Sequence, residues 1–178
     1  AYTSHGNLDV AQKAIEESEK LIHRHERIPI YYTQYLLTKI KFRLESVKDL
    51  NPQDKSFKSG LVELKKLSAK LLKLIKKNAA IASEAYHLRA KIMLLTHNYK
   101  SAGNYLIQSI AVGEKYNARP DLSRSYFETG KFLSDPNNKH KKINGQPVSY
   151  YLEKAKNMFE EMDLQWDLEE FRKFGLAE

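Results

Sequence analysis

Apolar and small residues recur along the chain at the spacing of one face of an α-helix. In the stretch SYYLEKAKNMFEEM, residues 149–162, four such positions follow one another at intervals of 3, 4 and 3, namely Leu152, Ala155, Phe159 and Met162. This spacing places all four on one side of a helix with about 3.6 residues per turn. Similar periodicity runs almost throughout, and no segment alternates convincingly as a β-strand does. The pattern predicts an all-α chain with helices over 7–25, 30–46, 57–77, 79–96, 99–116, 120–134, 148–162 and 164–174.

The same frame of four positions occurs three more times. It is found at Tyr99, Ala102, Leu106 and Ser109, at Leu8, Ala11, Ile15 and Ser18, and at Leu64, Leu67, Leu71 and Leu74. The four frames start 56, 35 and 53 residues apart. Each longer interval contains a polar connection rich in turn residues, at 47–56 and 135–147. The spacing therefore predicts an array of helix pairs with two insertions, which we expect to be mobile flaps.

This unit resembles a tetratricopeptide repeat, a helix-turn-helix of 34 residues. The resemblance rests on HNYKSAGNYLIQS (97–109) and GNLDVAQKAIEES (6–18), in which large and small residues alternate as in the second helix of the family's repeat. The first helix of the family's repeat has a large, a small and another large residue at fixed spacing. Two segments match this pattern, at Tyr86, Ala90 and Met93 and at Tyr126, Gly130 and Leu133. The small residues are needed where two helix backbones approach closely.

The resemblance implies a right-handed helical solenoid of about four antiparallel helix pairs in a single domain over 1–178. The pairs would be 1–25 (partial), 30–77, 79–116 and 120–162, with a capping helix at 164–174. The tail from Ala118 to Phe174 also resembles repeat regions of large bacterial signalling proteins that carry a kinase or cyclase. It implies a regulatory or partner-binding region, expected to be cytoplasmic. Since the sequence begins at Ala1 and not at a methionine, we expect a piece of a longer protein.

Composition narrows the possible chemistry. The 178 residues contain no cysteine, so disulfides and thiolate metal sites are excluded. No apolar run approaches the ~20 residues of a membrane-spanning helix, and no phosphate-binding loop or zinc-protease motif occurs. His23 and His25 are two residues apart and point to different sides of a helix, which makes a poor metal pair. We expect no enzyme activity and no cofactor.

Charge is concentrated in one region. The net charge is +8, and residues 51–113 hold 11 basic residues against 3 acidic ones, so the whole excess lies there. In the predicted helix 57–77, lysines form a stripe at Lys66, Lys70, Lys73 and Lys77. A solvated outer face is the simplest interpretation. An acidic protein partner, or a nucleic acid or anionic surface, is the alternative function, although no arginine or interleaved aromatic residue supports base recognition.

A partner-binding face follows from aligning the two first helices at an offset of 40 residues. The face then comprises Glu84, His87 and Lys91 from one helix and Arg124, Phe127 and Lys131 from the other. In the family, first helices line the concave groove. Basic side chains, a titratable histidine and an exposed phenylalanine suit an extended peptide that carries a carboxylate and an apolar anchor. We therefore predict a protein or peptide partner, expected to be acidic, at His87, Lys91, Arg124, Phe127 and Lys131, while ordinary solvated surface is the competing interpretation.

Overall fold

The computed structural model describes residues 8–25, 29–75 and 79–175 and is all-helical within these ranges. Its eight α-helices are α1 (Leu8–His25), α2 (Pro29–Lys48), α3 (Lys55–Leu74), α4 (Ala82–Leu94), α5 (Tyr99–Lys115), α6 (Arg119–Ser134), α7 (Val148–Glu161) and α8 (Gln165–Gly175). A 3₁₀ turn at Ala79–Ile81 precedes α4. The prediction of an all-α fold is confirmed. The chain divides into two compact units, Ala1–Asn78 and Ala79–Glu178, and a single solenoid over 1–178 stays a prediction.

In the first unit, α2 is the central helix. It packs against both α1 and α3, so apolar residues surround it and four of them are almost fully buried: Leu36, Leu37, Ile40 and Val47. By contrast, α1 buries Ala11 and Ile15 and leaves Ser18 exposed. The predicted frame of α1 therefore holds for its two central positions and ends before Ser18.

The frame predicted for α3 holds at Leu64 and Leu71, which are fully buried, and fails at Leu67 and Leu74, which are half-buried. The small residue of the seam with α2 is Gly60, where an added Cβ would lie 2.5 Å from Cγ1 of Val47. Leu67, predicted to occupy the small position, is only half-buried, and this prediction is wrong. The buried positions of α3 are Phe57, Gly60, Leu64, Ser68 and Leu71, at intervals of 3, 4, 4 and 3. A glycine that looks like a helix breaker in the sequence permits the close approach.

The second unit contains two helix pairs, α4 with α5 and α6 with α7. Ala102 and Ala155, the predicted small residues of the second helices, are fully buried, as is Ala90 in α4. In α6, a Cβ added at Gly130 would lie 2.3 Å from Cδ2 of Leu152. The small-residue seams predicted for both pairs are confirmed.

Three helix ends in this unit share one turn. His97, Asn117 and Asp163 have positive φ of 52°, 50° and 53°, and each follows the end of a helix. The next amide in each case donates to a carbonyl five residues earlier, at 3.0, 2.9 and 2.9 Å, which is the Schellman arrangement. The helices α6 and α8 both begin after this turn. Each has an aspartate four residues after the residue with positive φ.

The long connection at 135–147 is anchored and not a free flap. The Nδ2 of Asn138 donates to the carbonyl of Phe132 at 2.7 Å, and the residue is 2% exposed. The hydroxyl of Tyr151 donates to the carbonyl of Ile143, also at 2.7 Å. An isolated β-bridge joins Ile143 to Gln146 across Asn144 and Gly145, whose φ values of 48° and 78° are those of a tight hairpin turn. The expectation of a mobile flap is wrong for this segment, because its polar residues bond to the helices beside it.

Candidate partner-binding face

All five predicted binding residues lie in the second unit, on the neighbouring helices α4 and α6. The structure brings together three of them, His87, Lys91 and Lys131. They surround the carboxylate of Glu128, which was not among the predicted residues. Arg124 and Phe127, on the same face of α6 as Lys131, instead contact α8. The residues of the predicted face therefore differ in their partners, since Glu128 pairs with the two lysines and α8 covers Arg124 and Phe127.

Glu128 is the centre of the first cluster. Its side chain is 9% exposed, and its Oε2 accepts a hydrogen bond from Nζ of Lys131 at 3.2 Å and lies 4.0 Å from Nζ of Lys91. Burial raises the pKa of Glu128, but the two ammonium groups outweigh it and lower the pKa from 4.5 to about 2. The carboxylate is therefore charged under all ordinary conditions. Its only signal in the sequence is weak, namely the i,i+3 spacing to Lys131.

His87 is neutral in this cluster. Burial lowers its pKa from 6.5 to about 3, and the nearby charge of Glu128 opposes this shift without offsetting it. Lys91, Lys131 and Arg124 act in the same direction as burial. The ring therefore offers hydrogen-bonding nitrogens at neutral pH but no positive charge.

Phe127 is buried, which contradicts the predicted exposed phenylalanine. The residue is 8% exposed, and its ring centroid lies 5.9, 5.2 and 5.8 Å from those of Phe159, Phe171 and Phe174. The last two belong to α8. The prediction is wrong because α8, expected only to cap the end of the array, covers this side of α6.

Arg124 also contacts α8. Its Nε and Nη2 donate to the two carboxylate oxygens of Asp167, both at 2.9 Å, and Asp121 lies 4.0 Å away. The hydrogen bond with Asp167 raises the pKa of Arg124, while burial acts in the opposite direction. Planar two-point pairing of this kind fixes geometry as well as charge. Arg124 and Phe127 therefore form the docking site of α8, which supplies a carboxylate and two aromatic rings.

The remaining surface consists of Lys91, Lys131, His87 and the half-buried Glu84. The lysine side chains are 36% and 35% exposed, and they share the single carboxylate of Glu128. The two ammonium groups thus share one carboxylate, while the charge of Glu84 acts on Arg124. Nζ of Lys131 also lies 5.2 Å from the ring centroid of Phe127. This arrangement is able to receive one further carboxylate next to a neutral imidazole.

Other chemistry has little support in the ranges 8–25, 29–75 and 79–175. They contain no group of three histidine, aspartate or glutamate residues placed to hold a metal ion. A cleft of about 200 Å³ lies between α1, α2 and α3. Its polar groups bond to one another, since Nζ of Lys39 donates to Oε1 of Glu19 at 2.9 Å and to the hydroxyl of Tyr35 at 3.0 Å.

Among the described helices, none is both long and apolar enough to cross a bilayer. In comparisons with known proteins, no family model, curated sequence or solved structure matched the chain.

Proposed function

We propose that the chain is a non-catalytic scaffold for protein–protein interaction, built as a tetratricopeptide-like, right-handed solenoid of about four antiparallel helix pairs with α8 as its cap. In this proposal it is a regulatory region of a larger cytoplasmic signalling protein of the bacterial type that its tail resembles. Support comes from the two pairs of the second unit, which use small residues at equivalent positions, and from the turn that α8 and α6 share. Repeats of this kind present extended faces suited to partner segments.

The observation that carries the proposal is the pair of half-exposed lysines that share one carboxylate. Lys91 and Lys131 lie on neighbouring first helices, and Glu128 holds both in place without neutralising both. An acidic residue of a partner would complete the charge balance, and its ion pairs would be partly desolvated by His87 and the helix surfaces. The partner we propose is a segment that combines an acidic residue with an apolar one.

The chain provides an internal precedent for this ligand chemistry. The helix α8 docks on α6 through a carboxylate on Arg124 and aromatic rings on Phe127. Because α8 occupies these two residues, the proposed partner site is limited to His87, Lys91 and Lys131. Arg124 and Phe127 contribute indirectly, because they hold α6 and α8 together.

The test is a selection of peptides from a random display library on the immobilised chain, followed by affinity measurements on the enriched peptides. We expect enriched peptides to contain Asp or Glu near an apolar residue. Replacing both Lys91 and Lys131 by Ala should weaken their binding roughly tenfold or more, because partly desolvated ion pairs are lost. The matched control replaces the exposed Lys100 and Lys156, on α5 and α7, by Ala. An absence of enrichment, or equal losses in the two double variants, would contradict the proposal.

A further inference from the structure

The outward face of α3 carries a row of lysines that the proposed partner site does not use. At about 100° per residue, Lys55, Lys66 and Lys73 lie within about 20° of one line along the helix, directly opposite the buried stripe. That stripe consists of Phe57, Gly60, Leu64, Ser68 and Leu71. Lys58, Lys65 and Lys70 are also exposed and flank the line. The row extends over about 27 Å, from Lys55 to Lys73. Lys77, part of the predicted stripe, lies outside the described residues.

Three lysines of this face, Lys58, Lys66 and Lys73, are not paired with acidic residues within the described ranges. Among the described residues, no carboxylate lies within 4.0 Å of the ammonium groups of Lys58, Lys66 or Lys73. The one acidic residue of α3, Glu63, lies to the side and pairs with Arg43 of α2 at 2.7 Å. The exposed residues of α7, by contrast, mix both signs, with Lys156 3.8 Å from Glu160. The single sign of the α3 face is thus a local property and not a general feature of the surface.

The composition of the face indicates the kind of polyanion that it fits. The helix α3 contains no arginine, asparagine or glutamine, and its only aromatic residue, Phe57, is buried. Side chains that read base edges or stack on bases are therefore missing from α3. The neighbouring ring of Tyr32, in α2, is half-buried and covered by Nζ of Lys70, 4.6 Å from its centroid. Lysine ammonium groups act as point charges that do not require a planar partner. At the centre of the face lies an exposed apolar residue, Val62, which is 52% exposed.

The geometry also favours a broad surface over a strand. The lysines fan out over about 140° of a convex helix, so their long side chains can reach a flat surface on both sides of the contact line. A single-stranded nucleic acid is instead bound in a groove. We propose that this lysine face adsorbs to the surface of an anionic phospholipid bilayer, with ammonium groups at the level of the headgroups and Val62 against them.

The test is co-sedimentation of the whole chain with vesicles of phosphatidylcholine, alone or mixed with phosphatidylserine. We expect binding only to the mixed vesicles, and weaker binding as salt rises from about 50 to about 500 mM, because surface charges are screened over shorter distances. Replacing Lys58, Lys66 and Lys73 together by Gln should weaken binding roughly 100-fold, at about fivefold for each lysine. All three side chains are exposed, and circular dichroism verifies that the variant folds.

Two comparisons separate the lysine face of α3 from the proposed partner site, and a bilayer from other polyanions. The double variant with Lys91 and Lys131 replaced by Ala should bind vesicles as the wild type does, because these lysines belong to the other site. Duplex DNA and a poly-glutamate peptide serve as competing polyanions. Tighter binding to either one than to the mixed vesicles would overturn the lipid assignment and favour a nucleic acid or an acidic protein. If the triple variant binds the vesicles as tightly as the wild type does, the lysine face of α3 is not the membrane-binding surface.

Discussion

The neutral state of His87 makes the stability of the second unit sensitive to mild acid. Its pKa is about 3 in the folded chain and 6.5 as the ordinary value. Below pH 6.5 the unfolded chain therefore binds a proton that the folded chain does not bind. The stability linked to this histidine is complete above 6.5 and is lost as the pH falls toward about 3.

The size of the effect follows from the same two values. A pH of about 5 is about 1.5 units below the ordinary pKa of 6.5. The free energy of unfolding therefore falls by about 2 kcal/mol at most. Since His87 keeps some exposed surface, solvent screening reduces this to about 1 to 2 kcal/mol. The measurement is urea unfolding at about pH 7.5 and about pH 5, a range in which Glu128 does not yet contribute. Trp166, the only tryptophan, lies in α8 of the same unit, so its fluorescence reports on this unit.

The comparison uses the variant with His87 replaced by Gln, which cannot take up the proton. The free energy of unfolding of the wild type should fall by about 1 to 2 kcal/mol more than that of the variant between the two pH values. The control replaces the exposed His97 by Asn, a residue that tolerates its positive φ. If wild type and the His87 variant lose the same stability, the histidine is not held neutral by burial and the reasoning fails.

Three further changes test the packing and the ion pairs. Ala155→Leu should overpack the seam of α7 and cost about 1 to 3 kcal/mol of unfolding free energy in urea titrations, whereas Lys156→Ala should leave it unchanged within error. Glu128→Gln should cost about 1 to 2 kcal/mol in the same assay, since two ammonium groups lose their carboxylate; a more stable variant would contradict this. Asp167→Ala removes the bond to Arg124, so amide exchange should accelerate first in α8 and not uniformly.

The helices and most of their seams could be predicted because they depend on local spacing. Ala102 and Ala155 are fully buried, as the recurring frame required, and each helix boundary lies within a few residues of the predicted one. The frame of α3 was right at Leu64 and Leu71 but wrong at Leu67 and Leu74, because leucines fill nearly every turn of that helix and several frames fit the pattern equally well. The deciding contact, Gly60 against Val47, joins two helices and is invisible in either one alone.

The candidate site was only partly predictable for a similar reason. Periodicity placed Lys91 and Lys131 on neighbouring helices correctly, because both belong to aligned frames. It could not show that α8 returns to cover Phe127, since that contact depends on the path of the chain after α7. Glu128 was missed because the 3, 4 spacing used to align the two helices selects Phe127 and Lys131 and passes over the position between them. Its burial depends on α4, which contributes Lys91.

The anchored connection at 135–147 affects where this chain can accept additional sequence. Length usually marks a surface loop as tolerant of insertions, but tolerance depends on the burial and hydrogen bonding of the affected backbone. Here the longest connection contains the buried Asn138 and supports Tyr151 through a carbonyl, whereas residues 51–54, between α2 and α3, are exposed throughout. A fluorescent protein or affinity tag therefore belongs in the shorter loop, where it can be carried without loosening the pair formed by α6 and α7.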